Sequence, residues 1–168
     1  IMANGLAGND EIGIHSMEFR AFESALGDLT RDLSRMIIKD GEGATKLVEV
    51  EVRNARNQRD ADNAAFAIAN SMLVKTALYG NDANWGRIMA ALGRAGITIK
   101  EEKTDIYFGR VAVVKSGIAT GKDKGANAVL TKKEIRITVD LNLENASSNV
   151  LTCDLTEGYV RINAEYRT

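Results

Sequence analysis

The chain has 168 residues, 45% hydrophobic and 27% charged, which is about one domain of ordinary globular composition. Its 22 Lys and Arg against 23 Asp and Glu leave a net charge of −1, without the basic excess of a nucleic-acid or membrane-surface binder. One Cys and one His exclude an internal disulfide and a Cys-built or multi-His metal site within the chain, and no apolar run approaches the ~18 residues of a membrane span. A lone cysteine fits a reducing compartment, and the expected location is cytoplasmic.

Position 1 is Ile and no charged stretch precedes the apolar opening, so it does not read as a signal peptide. The two readings are a trimmed start and a chain cut from a longer precursor. Gly5 and Gly8, with Asn4 and Asn9, predict a loop. Ser16 then caps a helix in which Phe19, Phe22, Leu26, Leu29, Leu33 and Met36 or Ile37 recur at helical spacing. Asp40-Gly41-Glu42-Gly43 predicts the turn that ends it near Lys39. Lys46 to Arg53 alternates Val48, Val50 and Val52 with charged residues, a strand with one buried face.

Asp60 or Asp62 is the expected cap of a second helix, with apolar positions from Ala64 to Ala77 and Gly80 at its end. A shorter helix is predicted from about Trp85 to Leu92. From Ile106 onward β-rich runs dominate: 106–108, 111–114 and 135–141, with a Gly- and Lys-rich loop at 121–128. Asn149 to Cys153 reads as a last strand. Asp154, with Glu157 three residues on, reads as the N-terminus of a final helix. The pattern is mixed α/β, a single region over 1–168, with a sub-boundary expected near 100 where the helix-rich half gives way to the β-rich one.

Complete catalytic constellations are missing from the residues alone. Asp40 to Lys46 carries two glycines and a lysine but not the spacing or the strand–helix setting of a phosphate loop. Its plain reading is a helix-to-strand turn; the sharper one is that the glycines present the Glu42 carboxylate to a ligand. His15 beside Ser16 reads as a helix start rather than a base and nucleophile, since neighbours in sequence do not form triad geometry. Cys153 reads as a small, buried hydrophobe, Trp85 as a core or interface anchor, and Arg87 as half of a structural ion pair in preference to a carboxylate clamp.

Five segments together resemble one family. They are Ala3-Asn4-Gly5-Leu6-Ala7-Gly8-Asn9, Lys39-Asp40-Gly41-Glu42-Gly43-Ala44-Thr45-Lys46, Asn70 to Ala77, Asn81 to Ile88, and Cys153 to the terminal Tyr166-Arg167-Thr168. The chain resembles the β chain of the ArgJ-type glutamate N-acetyltransferases, also called ornithine acetyltransferases, from end to end. The resemblance implies a layered α/β sandwich and acetyl transfer from N2-acetylornithine to glutamate in arginine biosynthesis. Some members also take acetyl from acetyl-CoA, which is thus a candidate co-substrate; no resident cofactor and no metal are expected. It implies a precursor that cleaves itself before a threonine, whose hydroxyl becomes the nucleophile and whose amino group the base. That threonine and the oxyanion donors fall outside this sequence, so no catalytic residue is assigned within it. The expected partner is the α chain of the same precursor, in an α2β2 heterotetramer, with small amino-acid substrates and neither nucleic acid nor membrane. The family's substrate-binding residues fall on Glu42, Asn163 and Thr168. Glu42 supplies a negative charge for an amine, and Asn163 offers a donor and an acceptor to either substrate. The competing reading is a non-catalytic fragment that supplies pocket walls; a paralogue acting on another acylated amino acid keeps the chemistry and changes the pocket.

Overall fold

A computed structural model describes residues 4–165. The chain divides into two compact units, Ile1–Ser34 and Arg35–Thr168. In the first, the Gly-rich opening is irregular and leads into helix α1 (Met17–Lys39), whose residues from Arg35 onward belong to the second unit. Ser16 caps it as its sequence predicts, its hydroxyl accepting from the Phe19 N–H at 3.0 Å. The helical period of apolar residues is present, but none of the α1 residues is buried; Phe22, Leu29 and Leu33 are all about half exposed. Amphipathic spacing therefore forms the helix here without supplying the surface that would cover its apolar stripe.

The second unit is built on one six-stranded sheet. In chain order it contains β1 (Leu47–Ala55), α2 (Gln58–Ala69), α3 (Met72–Tyr79), α4 (Trp85–Gly93), β2 (Asp105–Phe108), β3 (Val111–Lys115), β4 (Ile118–Ala119), α5 (Asp123–Leu130), β5 (Glu134–Asp140), β6 (Ala146–Cys153) and α6 (Glu157–Glu165). The strand order is β4-β3-β2-β5-β1-β6. β1 runs parallel to β5 and antiparallel to β6, and every other pairing is antiparallel. The class is mixed α/β, with a helical layer against one face of the sheet. Period-2 alternation explains the layering: Val48, Val50 and Val52 of β1 join Ile135, Ile137 and Val139 of β5 and the alanines of α2 in one core. Alanines at 61, 64 and 65 let α2 approach the strands closely.

The opposite face of β1 is polar. Glu49 accepts from Arg136 Nε at 2.9 Å and from the Asn149 amide, and Glu51 accepts from the Thr138 hydroxyl at 3.0 Å. Burial pushes the Glu49 carboxyl upward, but the Asn149 and Arg136 hydrogen bonds outweigh it and the net shift is downward.

Several predicted details change. The second helix is two helices, because Ser71 breaks the run and caps α3, accepting from the Val74 N–H at 3.4 Å. Asn57, not Asp60 or Asp62, caps α2, accepting from the Asp60 N–H at 2.9 Å. Gly80 does follow α3, but with φ −72°; the left-handed residue is Asn81 at φ 55°. The loop expected over 121–128 is largely α5, whose Ala126 and Leu130 are buried against the β-rich half. Among the described residues Arg87 forms no ion pair: its guanidinium donates to the Leu73 carbonyl at 2.7 Å and to the Thr76 hydroxyl at 3.2 Å, tying α4 to α3. Among the described residues no helix is long and apolar enough to cross a membrane.

Candidate functional site

The turn between α1 and β1 is the centre of a network that joins three of the sequence segments, 39–46, 81–88 and 153–168. The Ala44 N–H donates to the Gly41 carbonyl at 2.9 Å, and Gly43 takes a left-handed φ of +66° that glycine adopts without strain. Beyond it, the buried Asp154 carboxylate pins the entry to β1. Oδ1 accepts from the Thr45 N–H at 2.8 Å and the Lys46 N–H at 3.0 Å, and Oδ2 accepts from the Thr45 hydroxyl at 2.5 Å. Asp154 is therefore not the cap of the last helix. Thr156 is: its hydroxyl oxygen accepts from the Tyr159 N–H at 3.2 Å.

Lys46 turns toward the end of α3, donating to the Leu78 carbonyl and to Asn81 Oδ1 at 2.7 Å. Cations are favoured at helix C-termini, where carbonyls lack partners. Burial pushes its ammonium pKa down, opposed in part by the Asp154 charge. With that lysine engaged at a helix end and a strand following the turn, the segment does not form a phosphate loop.

Glu42 and Asn163 lie 121 positions apart in sequence and meet in space. Asn163 Nδ2 donates to Glu42 Oε2 at 2.9 Å and to the Tyr159 carbonyl at 3.0 Å. The second bond spans one turn of α6, and it fixes the amide so that both donors are used. Both residues are exposed, so they form an open edge rather than an enclosed pocket. Beside the turn lies a cavity of about 510 Å³, lined by Lys39, Ala44, Thr45, Lys46, Leu47, Lys133 and Glu134. The Glu134 carboxyl is held low chiefly by its hydrogen bond from Lys39, with Arg35 also contributing. Thr168 lies outside the described residues. Cys153 is half-buried at the end of β6, paired in register with Leu47. Among the described residues no group of three or more His, Cys, Asp or Glu is placed to hold a metal.

The sequence does not single out Thr156 as the cap, Asp154 as the anchor of β1, or the close approach at Gly43. A threonine is a favoured N-cap, and Thr156 immediately precedes the final helix, so the cap was legible in principle. Asp154 was the competing candidate, and only the fold shows that its carboxylate is spent across the molecule on β1.

Comparison with known proteins agrees with this architecture. The model of the ArgJ family matches residues 1–168. The arginine biosynthesis bifunctional protein ArgJ of Geobacter sulfurreducens is 48% identical over the whole chain, and that of Caldanaerobacter subterraneus subsp. tengcongensis is 47% identical. The chain spans 43% of the length of each of these relatives. The crystal structure of the ArgJ protein from Bacillus halodurans superposes with a TM-score of 0.93 at 43% identity, covering 98% of this chain and 78% of that one. Matched by the family model from its first residue to its last, the chain belongs to the ArgJ family.

Proposed function

We propose that this chain forms the amino-acid-binding part of an acetyltransferase that moves acetyl from N2-acetylornithine to glutamate in arginine biosynthesis. The observation that carries this reading is the meeting of Glu42 and Asn163, with the donors of Asn163 already spent. What the pair then offers is Glu42 Oε1 and Asn163 Oδ1, two acceptors, one of them on a carboxylate. Such a pair complements an ammonium, and ornithine carries one on its side chain. It does not complement a carboxylate. Glutamate's side chain therefore needs donors from elsewhere in the enzyme, and the pair serves the amine-bearing substrate rather than both.

The chemistry fits a two-step exchange. The hydroxyl of a threonine supplied outside this sequence attacks the acetyl carbonyl of N2-acetylornithine, and its proton passes to the threonine's own α-amine. The C–N bond breaks, ornithine leaves with that proton on its amine, and the acetyl group stays on the threonine oxygen as an ester. The glutamate amine then attacks the ester, N-acetylglutamate departs and the hydroxyl is restored. Glu42 and Asn163 orient the ornithine end of this exchange. In the same reading the chain works with the α chain of its precursor, as an α2β2 assembly in the cytoplasm. Acetyl-CoA serves as an alternative acetyl donor and no cofactor is resident.

The test is Glu42→Gln in the enzyme assembled from the full-length precursor. Loss of a charge-assisted contact to an ammonium predicts a fall in kcat/KM for N2-acetylornithine of about tenfold to a hundredfold, with assembly and melting temperature unchanged. An unaltered kcat/KM sinks the assignment.

A further inference from the structure

We infer that Thr156 and Gly43 are positioning residues: a latch that sets the distance between Glu42 and Asn163 and so the affinity for the amine-bearing substrate. The inference rests on the reading of Glu42 and Asn163 as substrate-binding groups. It starts from a difference in how the two are held. Glu42 sits on a turn, Asn163 on α6, and both are exposed; neither position is fixed by burial. The link between the two backbones lies beneath them and is buried. The Thr156 hydroxyl donates to the Gly43 carbonyl at 2.7 Å and accepts from the Tyr159 N–H at 3.2 Å, with only 5% of Thr156 exposed. A hydroxyl has one proton and two lone pairs: its only donor holds the residue after Glu42, and one lone pair holds the first turn of the helix that carries Asn163.

Gly43 completes the fit by what it lacks. A Cβ on Gly43 would stand 2.5 Å from the Tyr159 nitrogen and 2.9 Å from the Gly158 carbonyl carbon. Carbon contacts optimise near 3.5–4.0 Å, so a side chain there would push the helix start away by ~1 Å. Asn163 lies four residues past Tyr159 on the same helix, ~6 Å along its axis, and is bonded to the Tyr159 carbonyl, so it moves with that turn. A shift of that size takes the 2.9 Å bond between Asn163 and Glu42 past hydrogen-bonding range. Gly158, facing Gly43 across the contact, is less critical. Its own Cβ would meet the Thr156 hydroxyl at 3.3 Å, a tight contact relieved by a shift of a few tenths of an ångström, and the Gly43 Cα at 3.6 Å, an ordinary packing distance. On the far side of the turn Asp154 holds Thr45 and Lys46 independently, so the strand entry survives when the latch is lost.

The experiment measures KM and kcat for N2-acetylornithine, together with the melting temperature, in the assembled enzyme. Thr156→Val removes both hydrogen bonds at constant shape and is expected to raise KM about tenfold with kcat nearly unchanged, while Thr156→Ser, which keeps the hydroxyl, stays within about twofold of the parent. Gly43→Ala is expected to behave like Thr156→Val, and Gly158→Ala like the parent; that pair carries the test if Thr156→Val does not assemble. Added to Glu42→Gln, Thr156→Val is expected to cost less than about twofold more, because the latch acts through a contact already lost. An unchanged KM in Thr156→Val, a serine variant as impaired as the valine, or full additivity with Glu42→Gln overturns the latch. If Glu42→Gln is itself silent, the parent reading fails; if it is impaired while Thr156→Val is not, only the latch fails.

Discussion

The Asn163 amide shows how much of a site's selectivity is decided by hydrogen-bond counting at one side chain. An asparagine read from sequence brings two donors and two lone pairs, and nothing in the sequence says which are free. The fold spends both donors, on Glu42 and on the Tyr159 carbonyl, and leaves an acceptor. Replacing Asn163 with Asp converts that arrangement into two carboxylates at 2.9 Å, which cannot both ionise freely. The expected outcome is an acid limb of kcat/KM displaced to higher pH by about one unit, with weaker binding of the amine below it, read from the pH–rate profile of Asn163→Asp. As a pair, Glu42 and Asn163 were legible only through resemblance, because a separation of 121 positions leaves no local signal that they touch. Thr156 and Gly43 were not legible at all as a pair: a turn glycine and a helix-cap threonine are each ordinary, and their contact is a property of the fold.

Among the elements, the β2–β3 hairpin is held by a cluster around Asp105. The buried carboxylate accepts from Lys115 Nζ at 2.5 Å, from the Ser116 N–H at 2.7 Å and from the Tyr107 hydroxyl at 3.2 Å. Burial alone would push the Asp105 carboxyl up; these bonds and the Lys115 charge bring it below its ordinary 3.8. The hydrogen bond to Asp105 correspondingly pushes the Lys115 ammonium up from 10.5. Since the carboxyl is depressed in the folded chain, its contribution is present above about pH 4 and is lost as pH falls through the folded value. The lysine contribution is present up to pH 10.5 and is lost above it. Asp105→Asn is therefore expected to cost about 1.5 kcal/mol at neutral pH and to flatten the fall in stability between pH 5 and pH 2, measured by denaturant melts across that range. The helices and strands themselves were largely readable, because period 3.6 and period 2 are local. What failed did so for local reasons too: α5 is short and carries Gly125 and charged residues that mimic a loop, and Ser71 sits inside an unbroken helical period. The order β4-β3-β2-β5-β1-β6 was beyond the sequence, since it depends on which distant strands pair.

For the whole molecule, the sheet places its earliest strand, β1, between β5 and β6, which come last. The closing contacts therefore join the two ends of the second unit: Glu49 with Asn149, Thr45 with Asp154, Glu42 with Asn163. At about 5–20 residues per second, ribosomes take about 6–24 seconds to add the 121 positions from Glu42 to Asn163. For most of that interval β1 has its hydrophobic valines made but neither of its neighbours, since β5 is complete only at Asp140 and β6 at Cys153. Pairings this distant pay a large loop-closure cost before they return any energy, so this is a slowly folding topology with a long-lived open strand. Refolding followed by pulsed hydrogen exchange is expected to protect the β2–β3 hairpin first and β1 with β6 last; simultaneous protection of all four strands contradicts this order. The edge that joins Glu42 to Asn163 therefore forms only after α6 has been made, and a chain stopped short of α6 lacks it.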